Sequence, residues 1–465
     1  MAGVLAFLWL TLAQATPPAE GPAAELERAQ ELACSGRAVD ARRAYERIVH
    51  DFPSSPEARV AERCTTPSAL LGSCEIVTHG PSSNRVDVAI LGDGYVLKHQ
   101  RALAEVAEDA LPLLERVEPF REYWSYFNFR RGVCVSADDG VDGFGREFDT
   151  LLGGFTYDTE EGHVGVDAKR THDVLLGIPG NDGLAIVFVK QGVAGTGGDG
   201  LAVVGGRDAR TVVHEWGHAF GGLGDEYATY THERGPAASG INVSATDDEK
   251  RVPWRHWIEA RHPSVGVYEG ASGQAQNAWR PTASGCFMNE GSSIAFCPVC
   301  REALLLRIYS LVDPIESSEP PAPPPGVREP LPLIDRPLEI TVRTMKPESH
   351  DLEVRWWVYE ASRFPSTGGN GPRTSDSPVI RPMEKDRRQR GPLDPIPVDP
   401  IKEQRTGKDA EATLRLERDA FQPGLYRVTC RVRDTTELRG ERFPWVLLDE
   451  HGVLESERVW WVEVR

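Results

Sequence analysis

Apolar positions change their spacing several times along this chain, and each change marks a different kind of element. Over 22–62 small apolar residues recur at helical spacing, interrupted by a Ser-Gly-Arg turn and stopped by the run "FPSSP". This pattern predicts a helical hairpin. Between 67 and 313 short apolar runs alternate with helical stretches. "NRVDVAILGDGY", "YFNFRRGVCVSA" and "GLAIVFVKQ" read as buried strands, with "LAVVGG" as a short edge strand. "LKHQRALAEVAEDALPLLERVEPF" and "RDARTVVHEWGHAFGGL" read as helices. Strands alternating with helices imply an α/β sheet, and its last long helix bears two histidines.

Residues 314–334 are proline-rich and read as an extended, semi-rigid linker. From 335 to 465 the apolar period falls to two, as in antiparallel strands with one solvated face. There "PGLYRVTCRVRD" resembles the later strand of an immunoglobulin-like sandwich, with Tyr426 placed as in a tyrosine corner. The inter-sheet cysteine partner of such sandwiches is missing. Residues 364–411, rich in Pro, Gly, Arg and Asp, read as a mobile insertion. The opening hairpin, within 16–66, resembles one tetratricopeptide-type unit. A single unit cannot bury its own face, so a cap or prodomain lying on the next domain is expected.

The first fifteen residues, "MAGVLAFLWLTLAQA", form an apolar run ending in a small-residue cleavage pattern. They are read as a signal peptide, so a secreted or periplasmic location is expected. The run is shorter than the ~20 residues a spanning helix needs. Eight cysteines in an exported chain imply some disulfides. Cys64 and Cys74 are close in sequence, as is Cys286 to Cys297 and Cys300, but spacing does not set the pairing. A formal net charge of −18 argues against a phosphate backbone as the main partner.

The chemistry concentrates in "TVVHEWGHAFGGLGDEY", residues 211–227. His214 and His218 are four apart, so both rings leave one face of a helix, with Glu215 beside them. This is the H-E-x-x-H pattern of zinc peptidases. A catalytic zinc takes three protein ligands and keeps a fourth position open. In the metzincin pattern a glycine turns the chain and the third ligand follows three residues later. Read strictly, that position is Gly224, which has no side chain. Counting from Gly222 instead gives Asp225 as the third ligand. Glu226 is its close competitor, His232 a weaker one and His172 weaker still. Tyr227 or Tyr230 could hydrogen-bond an oxyanion. Asp199, in the glycine-rich 192–206, could meet calcium, but a solvated loop aspartate is the simpler reading. This glycine-rich stretch suits an edge strand that pairs with extended substrate.

Downstream, "SGCFMNEG" sets Met288 in a tight segment, in the order of a methionine turn beneath a metal. With "HEWGHAFGGLGDEY", "FCPVCREAL" and "VDVAILGDGY", it resembles the IgA peptidase (igalysin-type) family of secreted bacterial zinc metalloendopeptidases, over roughly residues 80–310. The resemblance implies endopeptidase activity, with His214 and His218 as ligands and Glu215 as acid/base. The expected fold is α+β and multidomain: a metzincin-like α/β catalytic domain with an active-site helix, then a β-sandwich. One Zn2+ is the expected cofactor, and a protein or peptide the substrate of a monomer, with no nucleic acid and no membrane span. Cys297 and Cys300 form a C-x-x-C that could be a redox pair, though a thioredoxin context is missing, or half of a structural zinc site with Cys286 as a further ligand; a disulfide from Cys286 to one of them, bracing the methionine turn, is the expectation. The competing reading is a catalytically silent scaffold that binds a surface or glycan. The intact His214-Glu215-His218 set argues against it.

Overall fold

The computed structural model describes residues 21–157, 162–206, 208–232, 238–289, 293–363, 393, 396, 399–406 and 410–465. The expected signal segment and most of the expected insertion lie outside the described residues.

Three helices open the chain: α1 (Pro22–Cys34), α2 (Ala38–Asp51) and α3 (Pro56–Thr65). A hairpin was expected, but "FPSSP" ends one helix and starts another. Ser55 caps α3, its Oγ accepting from Ala58 N at 3.0 Å, and Pro56 occupies the first turn, where a missing N–H costs nothing. Ala29, Ala33, Ala41 and Ala44 let the helices approach closely, and with Tyr45 and Ile48 they pack on Leu71, Val133 and Val135. Leu71 lies on β1 (Ala69–Val77). A disulfide joins Cys34 at the end of α1 to Cys74 on β1. Cys64 remains a buried thiol.

The chain then builds a six-stranded sheet. β2 (Val86–Asp93) is followed by α4 (Gln100–Glu115) and β3 (Phe127–Val135). After the two-residue strands β4 (Phe155–Thr156) and β5 (Val164–Gly165) come α5 (Ala168–Leu175), β6 (Leu184–Val189), β7 (Gly195–Gly198) and β8 (Leu201–Val204). The strand order is β1-β3-β2-β6-β8-β7. β3, β2, β6 and β8 run parallel, while β1 and β7 are antiparallel edges. Every residue of β2 and β6 is buried, as a parallel strand covered on both faces requires. "LAVV" is therefore one strand in from the edge, and "GTGG" is the edge itself. Asp199 and Gly200, with φ of 48° and 81°, turn between them. That left-handed turn accounts for an Asp-Gly pair at this point.

α6 (Ala209–Gly221) packs across β7 and β8. β9 (Ala228–His232) leaves the end of the site, followed by α7 (Arg255–Glu259), β10 (Tyr268–Ala271) and β11 (Gly273–Arg280), and the three strands pair as β10-β11-β9. α8 (Pro298–Leu311) then packs on α6. The result is mixed α/β, with eight α-helices among the described residues.

The expected linker is not a free spacer. β12 (Ile315–Glu319) pairs with β14 (Leu338–Thr344), and β13 (Pro330–Leu333) runs parallel to β19 (Glu455–Val464). Proline survives in β13 because that strand is a sheet edge. The remaining strands are β15 (Glu353–Glu360), β16 (Lys402–Thr406), β17 (Glu411–Leu416) and β18 (Gly424–Arg433). They complete sheets ordered β12-β14-β17 and β13-β19-β18-β15-β16. Apolar residues from both sheets share one cluster with the face of the six-stranded sheet that α4, α6 and α8 cover. Tyr426 Oη donates to the Gln422 carbonyl at 2.8 Å, and Cys430, further along β18, is a buried thiol.

Candidate metal centre

α6 starts where Asp208 accepts from Thr211 N at 2.9 Å. It ends at Gly222, which adopts φ of 61° and turns the chain back. The Gly222 N–H donates to the His218 carbonyl at 3.0 Å, and the Leu223 N–H to that of Gly217 at 3.3 Å. The chain then returns along the helix face and brings Asp225 to the two histidines. His214 Nε2 and His218 Nε2 are 3.1 Å apart. Asp225 Oδ1 lies 3.0 Å from the first and 3.2 Å from the second.

The protons of these rings are fixed by what the other nitrogens meet. His214 Nδ1 is 2.8 Å from the Phe287 carbonyl and His218 Nδ1 is 2.6 Å from the Leu223 carbonyl. A carbonyl only accepts, so both Nδ1 atoms donate and the neutral rings point Nε2 lone pairs at each other. Asp225 Oδ1 is buried there without a hydrogen bond. Three electron-rich atoms thus face one point, and only a cation, metal or proton, relieves that. Burial pulls the His218 pKa down, but Asp225 outweighs it and the net direction is up. Burial likewise opposes the charge on Asp225, yet the two imidazoles hold its carboxyl well below the usual range. A tetrahedral zinc with bonds of ~2.0–2.1 Å spaces its ligand atoms at about 3.3 Å. The observed spacings therefore fit a divalent ion.

Glu215 leaves the helix between the histidines and is buried. Desolvation raises its pKa, with His214 and His218 opposing. It is able to sit nearly enclosed because three of the four residues of the edge strand β7 are glycine. A Cβ on Gly195 would come within 2.5 Å of Glu215 Cγ. One on Gly197 would meet the Glu215 carbonyl oxygen at 2.4 Å and His218 Cβ at 2.6 Å. A Cβ on Gly198 would meet nothing within 4 Å. Gly197→Ala is therefore expected to destabilise the fold by about 1–3 kcal/mol and to lower kcat/KM, while Gly198→Ala leaves both unchanged. Thermal melts and peptide kinetics on the pair check this.

Met288 is fully buried beneath α6, close enough that a Cβ on Gly217 would lie 2.6 Å from its sulfur. Arg210 ties this segment to α6, donating to the carbonyls of Ser293 (2.9 Å), Phe287 (3.4 Å) and Asn289. The loop that holds Met288 thus also supplies the acceptor that orients His214.

Residues 74–264 match the family model of IgA Peptidase M64. The matched segment belongs to that family. No curated protein matches the chain. The IgA Peptidase M64 segment contains His214, Glu215, His218, Asp225 and Glu226, and stops short of Met288 and the cysteines that follow it. The match supports a peptidase, of a family that implies a metal-dependent protease.

The structure separates the two carboxylates that spacing alone left unresolved. Successive side chains of an extended segment point to opposite sides. Asp225 faces the histidines, and Glu226 faces away into the interior. Tyr227 stands beside His214, ring centroids 6.1 Å apart. The side chains of Tyr230 and His232 lie outside the described residues. His172 sits on α5 and bonds its own helix at the Ala168 carbonyl, 2.7 Å away. The expected disulfide from Cys286 is not formed: Cys286, Cys297 and Cys300 are all buried thiols. Instead they gather around Glu226, a member of the group that the cysteine spacing did not announce. The signal was the Asp-Glu pair itself, since a second carboxylate next to one that faces the histidines must have its own partners.

Proposed function

We propose that this protein is a secreted or periplasmic zinc metalloendopeptidase with a metzincin-like catalytic domain and an immunoglobulin-like sandwich behind it. The observation that supports it most is the convergence of His214 Nε2, His218 Nε2 and Asp225 Oδ1 at 3.0–3.2 Å, beside a buried Glu215. His214, His218 and Asp225 would hold the ion, and Met288 would form the methionine turn beneath it. Zinc held there would supply Lewis acidity to a water and to the scissile carbonyl. Glu215, its basicity raised by burial, would take a proton from the attacking water on its carboxylate and hand it to the leaving amide nitrogen. Phe287 and Leu223 hold both histidines in the tautomer that presents Nε2. The β7 edge offers backbone groups to an extended polypeptide, which favours an endopeptidase over a hydrolase of small amides. Tyr227, its ring beside that of His214, would assist the oxyanion.

The test is Asp225→Ala in the full chain. It is expected to remove one zinc ion per chain and to bring casein cleavage to background, with the circular dichroism spectrum unchanged. Retention of wild-type zinc and activity would reject Asp225 as the ligand. A wild type that cleaves no polypeptide at any zinc concentration would reject the peptidase reading.

A further inference from the structure

Away from the histidines, on the other side of the same turn, four potential ligands meet. We propose that Cys286, Cys297, Cys300 and Glu226 bind a second zinc ion in a closed, four-ligand structural site. Their ligating atoms all lie within 4.8 Å of one another. Tetrahedral zinc with ~2.3 Å bonds to sulfur sets sulfurs about 3.8 Å apart, so little adjustment is needed. Cys286 and Cys300 are 0 % exposed, Cys297 4 % and Glu226 0 %, which leaves no open position for water or substrate. That closure is the mark of a structural rather than a catalytic site.

The surroundings suit thiolates. Cys286 Sγ accepts from the backbone N–H of Met288 (3.4 Å) and of Cys297 (3.3 Å), and Cys297 Sγ accepts from the Cys300 N–H (3.5 Å). Cys297 and Cys300 form a C-x-x-C at the start of α8, and a third cysteine eleven residues earlier returns to them. Glu226 Oε1 lies 3.0 Å from Cys300 Sγ and 3.5 Å from Cys297 Sγ. Asn242 Nδ2 donates to Oε1 at 3.0 Å and Thr282 Oγ1 to Oε2 at 3.2 Å, orienting the carboxylate as outer-shell donors do. Both are neutral donors, so they do not supply the positive charge that a carboxylate buried among thiols requires. Cys34 and Cys74 are joined as a disulfide, yet these three remain thiols. Three soft sulfurs with one oxygen favour zinc, whereas iron–sulfur clusters take four cysteines.

The site does not depend on the peptidase reading, and the test keeps the two apart. The full-length chain is loaded with Co2+, and its near-ultraviolet thiolate-to-cobalt charge-transfer band is recorded beside zinc counts by elemental mass spectrometry. The His214, His218 and Asp225 group contains no sulfur and cannot produce that band. Two zinc ions per chain are expected in the wild type and one in Asp225→Ala, with the band present in both. Cys297→Ser with Cys300→Ser is expected to abolish the band. The decisive measurements use chains that keep every ligand of this site, so a poorly folding cysteine variant does not cloud them. An absent band in the wild type, or a disulfide among the three cysteines in peptide maps, would overturn the proposal. Two zinc ions in Asp225→Ala with the band intact would support this site and count against the catalytic assignment.

Discussion

Glu215→Gln is expected to lower kcat for casein by about 10²–10⁴ while zinc content and melting temperature stay at wild-type values. Glutamine keeps the shape of the side chain in its nearly enclosed position, so no cavity forms against Gly195. It removes only the ability to take and return a proton. On the proposed assignment metal binding is unaffected, because Nε2 of the two histidines and Oδ1 of Asp225 would hold the ion and each is oriented without help from Glu215. Single-turnover cleavage with parallel zinc analysis is the measurement. A variant that loses zinc as well would mean that Glu215 shapes the site rather than moving a proton. A variant that cleaves at the wild-type rate would remove Glu215 from the chemistry.

The second large effect lies away from the histidine pair, at Asp434. This carboxylate is fully buried and accepts from Tyr123 Oη (2.7 Å), Tyr309 Oη (2.7 Å), His350 Nε2 (2.8 Å) and Thr436 N (2.7 Å). His350 Nδ1 in turn bonds Glu122 at 2.7 Å, and Ser349 adds two further donors to Glu122. The cluster joins the segment before β3 and helix α8 to the strands of the C-terminal sheets. Asp434→Ala takes the acceptor from the Tyr123 hydroxyl, leaves that of Tyr309 with Tyr126 alone at 3.1 Å and the imidazolium with one partner, and is expected to cost about 3–5 kcal/mol.

The same cluster sets a pH dependence. Burial opposes the charge on His350, but Asp434 and Glu122 outweigh it and raise its pKa from 6.5 to about 9. A raised base stabilises fully below its unfolded value and loses that contribution as pH climbs through the folded one. Burial also opposes charge on Glu122 and Asp434, yet their partners lower both, so their contribution is lost on the acid side. The unfolding free energy from urea titrations is expected to be highest near pH 5–6.5 and to fall toward pH 9, by about 3 kcal/mol at most. In His350→Gln the alkaline fall should flatten. An unchanged alkaline slope would assign it to other groups.

How much of this was legible in the sequence follows from where the constraints act. The helix with His214, Glu215 and His218 was readable because a period of 3.6 places i and i+4 together whatever surrounds them. The parallel strands were readable because burial on both faces leaves unbroken apolar runs such as "VAIL" and "LAIVFV". The Asp225 and Glu226 alternatives were not separable by spacing, because their roles depend on which side of an extended segment faces the helix. The pairing of Cys34 with Cys74 crosses a helical layer, so nearness in sequence, which pointed to Cys64, was no guide. The junction around Asp434 joins residues more than 300 positions apart, beyond any local pattern. Proline content suggested a spacer at 314–334 because composition does not reveal that an edge strand tolerates proline.

The Cys34–Cys74 bridge bears on how such an enzyme could be switched on. Many exported peptidases are held inactive by a leading segment that departs once the chain is cut. Here a cut between α3 and β1 would not free the leading helices, because α1 would stay covalently fastened to β1. Tyr45 would still donate to the Leu71 carbonyl, and Arg131 to that of Cys34 at 3.0 Å. Nicking alone therefore yields a two-chain protein of unchanged outline. Shedding these helices would demand a reductant as well as a protease, which makes them a permanent buttress of the sheet in any oxidising compartment.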